Sequence, residues 1–175
     1  MNRVLTAALA AAGFLAGAAP AAALPGCDAF LARLRADGSD LGVDYSRALV
    51  VSRVHASTSS YDIVTRSDVD GTLVCQGDQF VRFEAHVLEP LRAKGAEGFE
   101  KLQQLALEAA LGWDLGKAKS ASRGLAGEAR EYLSASRERG DVYISGKTER
   151  HEPGGVGVGM IFTEIDRAFV IVGEN

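Results

Sequence analysis

The order of hydrophobic patterns along this 175-residue chain predicts an α+β fold. The expected architecture is a mostly antiparallel sheet of about five to six strands, with two or three helices packed on one face. Three observations carry this reading. Runs rich in β-branched and aromatic residues gather towards both ends, amphipathic helical patterns lie between them, and no repeat or linker divides the chain after residue 23.

Residues 1–23 stand apart from that domain. Arg3 precedes an uncharged stretch rich in Ala and Leu that closes on Ala21-Ala22-Ala23, the pattern of a cleaved secretory signal peptide. Gly13, Gly17 and Pro20 interrupt it, whereas a spanning helix needs about 20 strongly apolar residues. The expected mature protein is a single α+β domain over residues 24–175, starting near Leu24 and carrying no membrane span. An Ala- and Gly-rich, Lys-poor composition suggests a high-GC bacterium, which makes the periplasm or exterior the expected location.

Cys27 and Cys75 are the only two cysteines. In an oxidising compartment an even count reads as one disulfide. It would close a loop worth about 3 to 4 kcal/mol in the chain-entropy model. Leu24-Pro25-Gly26-Cys27 also resembles a lipobox, which implies a lipid anchor at Cys27 as the competing fate. Pro25 and the helical pattern that begins directly at Asp28 favour the disulfide.

The elements follow in order. Asp28 can cap a helix whose Phe30, Leu31 and Leu34 share a face, with Arg33 and Arg35 near its end and Gly38 closing it. Val43 to His55 and Tyr61 to Thr65 read as strands joined by the polar segment 56–60. Asp70-Gly71 reads as a type I′ hairpin turn into Thr72–Cys75. In the next strand Val81, Phe83, Ala85 and Val87 alternate with Arg82, Glu84 and His86, giving one core face and one wet face, and Pro90 ends it. Phe99, Leu102, Ala106, Ala109 and Trp113 then recur at helical spacing, with Leu105 widening the stripe. A weaker helix covers Lys117 to Arg139 through Ala121, Leu125, Ala129, Tyr132 and Leu133, and ends at Gly140. Strands at Asp141–Glu149, Gly155–Glu164 and Phe169–Val172 complete the chain, with turns at Pro153-Gly154 and Asp166-Arg167.

Several motifs resemble chemistry. Asp68-Val69-Asp70-Gly71-Thr72-Leu73 resembles the signature of haloacid-dehalogenase-type phosphatases, which implies Asp68 as nucleophile and Asp70 as general acid. The rest of that pattern is missing: Thr65, Arg66 and Ser67 replace the apolar end of a buried strand, and no later acidic pair follows one. A turn is the expected role. An EF-hand fails because its sixth and twelfth positions are Leu73 and Gln79. Gly146-Lys147-Thr148 matches the end of a P-loop, but the required first Gly falls on Asp141. Gly155, Gly157 and Gly159 precede no βα crossover. Their expected role is to bare one strand face so that a helix or neighbouring backbone can approach, with a ligand-facing floor as the second reading. His55, His86 and His151 lack metal-ligand spacing.

The net charge of −4, about −5 without Arg3, and the absence of a basic stripe argue against a nucleic-acid partner. No cofactor or metal is expected. The functional expectation is a small exported, non-catalytic binding or accessory module of the bacterial envelope with a protein partner. Arg82, Glu84 and His86 are its candidate binding residues, against the alternative that they form a plain solvated face. A carrier of a small apolar ligand, held between the sheet and the helix at 97–113, is the alternative function. A hydrolase using His86 with Glu84 ranks third.

Overall fold

A computed structural model describes residues 24–48, 58–88, 93–143 and 145–173. The segment 1–23 predicted as a signal peptide, His55, Pro90 and most of the span predicted as a strand to residue 55 lie outside the described residues. Helix α1 (Cys27–Asp37) and a 3-10 turn (Ser39–Leu41) lead into strands β1 (Asp44–Ala48), β2 (Thr58–Val64), β3 (Asp70–Gln76) and β4 (Gln79–Leu88). Helices α2 (Ala93–Leu111) and α3 (Leu115–Arg139) follow, then strands β5 (Ser145–Glu152), β6 (Val156–Thr163) and β7 (Asp166–Gly173). The sheet has seven strands in the order β1-β2-β3-β4-β7-β6-β5, every pair antiparallel. Two meanders, β1–β4 and β5–β7, are thus joined through β4 and β7. The count is seven rather than the expected five to six, with the segments at Asp70–Gln76 and Gln79–Leu88 forming two separate full strands.

All three helices pack on one face. Alternation sends Ile63, Leu73, Phe83, Met160, Phe169 and Ile171 inward, where they form one buried core with Phe30, Leu102 and Leu125 of the helices. Phe30 of α1 meets Phe80 edge-to-face at 5.2 Å and Phe83 at 5.3 Å between ring centroids. Cys27 and Cys75 form the expected disulfide, with their Cα atoms 6.3 Å apart, pinning the start of α1 to β3. The sulfur that a lipid anchor would need is therefore bonded to Cys75.

Local expectations fail where a distant group decides the conformation. Asp70 and Gly71 are not the hairpin turn: they sit in β3 opposite Val64 and Ile63, and the turn is residues 65–69 with Asp68 at φ 56°. Gly71 has its place because a Cβ there would stand 3.1 Å from the Glu84 carbonyl oxygen and 3.3 Å from the Phe83 ring. The α1 cap is not Asp28 but Asp78 of the β3–β4 hairpin, whose carboxylate accepts the Asp28 N–H at 3.1 Å. A bulge beside Val74 and Cys75 makes Val81 the extra residue of β4, so Phe80 takes the core position expected of Val81. Gly112, at φ 63°, ends α2 before Trp113, which packs beyond the helix with Lys117 4.0 Å above its ring. Tyr132 is 57 % exposed and so is not part of the α3 core stripe. The last turn is Glu164-Ile165, held by Thr163 Oγ1 accepting the N–H of Ile165 and of Asp166, so Asp166-Arg167 already belong to β7. Gly140, at φ 70°, closes α3 as expected.

Candidate functional site: the uncovered sheet face

Strand alternation sends every second side chain away from the helices. Read across the ladder from β1 to β5, these outward residues fall into rows. The first is Ala48, Ser60, Val74, Arg82, Val172, Gly157 and His151. The second is Ser46, Asp62, Thr72, Glu84, Val170, Gly159 and Glu149, and the third is Asp44, Val64, Asp70, His86, Ala168, Ile161 and Lys147. The two middle strands, β7 and β6, thereby contribute only small or aliphatic groups. β4 and β5 contribute only charged and imidazole groups.

The result is a trough running along the strands. Its floor is Val170, Val172, Gly157, Gly159 and Ile161, and it encloses about 210 Å³ between Arg82 on one side and Lys147 and Glu149 on the other. On the β4 wall Glu84 bridges its neighbours: Arg82 is ion-paired to one carboxylate oxygen, and His86 Nε2 lies 2.8 Å from the other. Arg82 and His86 are 47 % and 43 % exposed, so the column stands in water rather than in a sealed cleft. On the β5 wall Lys147 Nζ lies 3.3 Å from Glu149. Because β4 and β5 run antiparallel to one another, the two walls present the same basic, acidic, imidazole sequence in opposite directions, with Glu84 and Glu149 in the same row.

The structure thus brings the three predicted residues, Arg82, Glu84 and His86, together on the uncovered face. Sequence reasoning missed the opposite wall, Lys147, Glu149 and His151. Its signal was the same alternation, basic-x-Glu-x-His, in a segment read as a strand that ended at Glu149. Gly146 of that motif faces the helices, where a Cβ would overlap the Ala129 carbonyl oxygen and the Leu133 backbone nitrogen of α3. Thr148 donates its hydroxyl to Glu128 at 2.6 Å, and Arg150 pairs with the same carboxylate. These two partners hold the Glu128 carboxyl below its ordinary pKa. The dehalogenase-like aspartates are likewise divided, Asp68 in the left-handed turn and Asp70 on an antiparallel strand.

Two other hollows lie on the helix side. One of about 170 Å³ opens between α2, α3 and β6, lined by Phe99, Ala126, Met160 and Phe162 with Arg130 and Arg167. The other, about 540 Å³, is a groove between α2 and α3 lined by charged residues of both signs, among them Glu97, Glu100, Lys101 and Glu108. Glu108 Oε1 is buried without a hydrogen-bond partner. Burial, reinforced by Asp37 and Asp114, raises its carboxyl above the ordinary value of 4.5. No cluster of potential metal ligands occurs among the described residues, and no helix among them is long and apolar enough to cross a membrane.

Compared with known proteins, the chain matches no family model, no curated protein and no solved structure.

Proposed function

We propose that residues 24–175 form an exported, non-catalytic binding module whose partner seats on the uncovered face of the sheet. The observation that carries this reading is the trough over Gly157 and Gly159, walled by two charged columns on a face that no helix among the described residues covers. Export is supported by the leader pattern of residues 1–23 and by the Cys27–Cys75 disulfide, a bond that persists in oxidising compartments. Catalysis gains from excluding water around the reacting groups. Glu84 and His86, by contrast, lie on a strand face partly exposed to water, with Arg82 on one oxygen of the carboxylate and His86 on the other. That arrangement favours recognition over turnover.

The test is capture from the periplasm of an expressing bacterium by in-cell cross-linking, with wild type against the Arg82→Ala/Glu84→Ala/His86→Ala variant. The expected result is a cross-linked partner on a chain that begins near Leu24 and weighs two hydrogens less than its reduced form. The triple variant should lose that partner, while Tyr132→Ala on the helix side should keep it. Equal capture by the triple variant would remove the uncovered face from consideration.

A second reading, a carrier of a small apolar ligand, draws support from the hollow beside Phe99, Met160 and Phe162. Native mass spectrometry decides it: a retained apolar molecule favours the carrier, and a bare mass after exposure to a hydrophobic probe ends it.

A further inference from the structure

We infer that the occupant of the trough is a cationic amphipathic helix of a partner protein. The inference rests on the reading of the uncovered face as the binding surface and adds the chemistry of what binds there. Three features of the face converge on it: width, depth and charge.

Width comes first. The β4 and β5 walls are three strand spacings apart, about 14 Å between backbones, and a helix with its side chains measures about 10 to 12 Å across. An extended strand would leave that space half empty. Sheet backbone groups inside the ladder are already paired, so a flat strand would gain no hydrogen bonds from the floor.

Depth is set by the glycines. On the helix side of the same sheet, Gly146 lets the α3 backbone come so close that no Cβ fits between them. Gly157 and Gly159 leave the floor of the trough without side chains on the other side, and all three described helices pack against the opposite face. Val170, Val172 and Ile161 flank those glycines and present aliphatic surface to whatever is seated.

Charge selects the helix. The outward side of the described strands carries six carboxylates, Asp44, Asp62, Asp70, Glu84, Glu149 and Asp166, against two permanent cations, Arg82 and Lys147, and of the six Asp44 is ion-paired with Arg35 of α1. Asp62 and Asp70 are exposed and form no ion pair among the described residues. Glu84 and Glu149 face each other across the trough, where lysine or arginine side chains on the two flanks of a seated helix would reach them. Leu88, 76 % exposed, and Val64, 50 % exposed, extend the apolar surface at one end of the face. A helix with an aliphatic stripe between two basic flanks matches this pattern, and one with acidic flanks is repelled.

The experiment titrates the purified mature protein with a fluorescent amphipathic peptide of about 18 Leu and Lys residues, which spans about 27 Å as a helix. A Leu/Glu peptide of the same pattern serves as control. The expected result is saturable binding of the Leu/Lys probe that weakens with salt and no binding of the Leu/Glu probe. Glu84→Lys/Glu149→Lys and, separately, Gly159→Val should each weaken it by about tenfold or more. The glycine variant keeps every charge, so it separates seating in the trough from diffuse attraction to an acidic protein. Both variants are first matched to wild type in thermal unfolding. No binding of the Leu/Lys probe, equal binding of the Leu/Glu probe, or binding untouched by Gly159→Val would overturn the inference. If the probe fails while the Arg82→Ala/Glu84→Ala/His86→Ala variant still loses its cross-linked partner, the surface stands and this partner class falls. If that variant keeps its partner, the surface itself falls.

Discussion

The two faces of the sheet use the same residue types to opposite ends. On the covered face Gly146 admits α3, Glu128 is tied down by Thr148 and Arg150, and the aromatic and aliphatic side chains are buried. On the other face Gly157 and Gly159 carry no described helix, and Glu84 and Glu149 pair with their basic neighbours on the walls of the trough. Where a glycine, a carboxylate and a cation meet a helix they contribute to stability. The same set without a helix contributes little, because exposed ion pairs are worth about 0 to 1 kcal/mol.

That contrast can be broken by substitution, and the largest effect should come from the covered side. Gly146→Val drives a side chain into the α3 backbone and is expected to cost about 4 kcal/mol or more, enough to leave little folded protein in a urea titration. Gly159→Ala, whose Cβ would stand 3.2 Å from the Thr148 carbonyl oxygen, should stay within about 1 kcal/mol of wild type in the same titration. Equal costs would mean that the faces do not differ in the way described.

Next in size is the staple under the helices. Cys27→Ser frees α1 from β3 and should lower stability by about 3 to 4 kcal/mol, an effect that reductant reproduces in wild type and not in the variant.

Glu108 gives a smaller, pH-dependent effect of the opposite sign. Its folded-state pKa is raised, so the folded protein holds this proton more tightly than the unfolded chain. The charge therefore destabilises the fold above the folded pKa, and the penalty fades as the pH falls towards the ordinary value of 4.5. Glu108→Gln should raise the melting temperature at neutral pH and leave it unchanged near pH 4. A uniform shift at both would mean that the cause is not ionisation.

The smallest effects belong to the uncovered face. Arg82→Ala, Glu84→Ala and His86→Ala should each change stability by less than about 0.5 kcal/mol in denaturant titrations, which leaves their effect on partner capture free of folding artefacts.

What was legible in the sequence was local. The alternation of Arg82, Glu84 and His86 with Phe83, Ala85 and Val87 is a property of one strand, and the stop of α3 at Gly140 is a property of one turn. The pairing of Cys27 with Cys75 followed from arithmetic and compartment. What failed was set across space. Gly71 lies in a strand because of Phe83 on the neighbouring one, and α1 is capped by a carboxylate 50 residues away. The second wall of the trough lies three strands from the first but 61 residues beyond His86 at Lys147, so no window along the chain joins them. Nor does alternation alone tell which sheet face the helices cover. That choice is made by the packing of α2 and α3 between the two meanders.

The most direct measurement of the proposed export and binding face is hydroxyl-radical footprinting of the protein, in the periplasm of an expressing bacterium and again after purification. The account predicts that Ile161, Val170 and Val172 are protected in the periplasm and labelled once purified, while Tyr132 on α3 is labelled in both. Protection that falls instead on the groove between α2 and α3, with the trough labelled alike in both states, would contradict it.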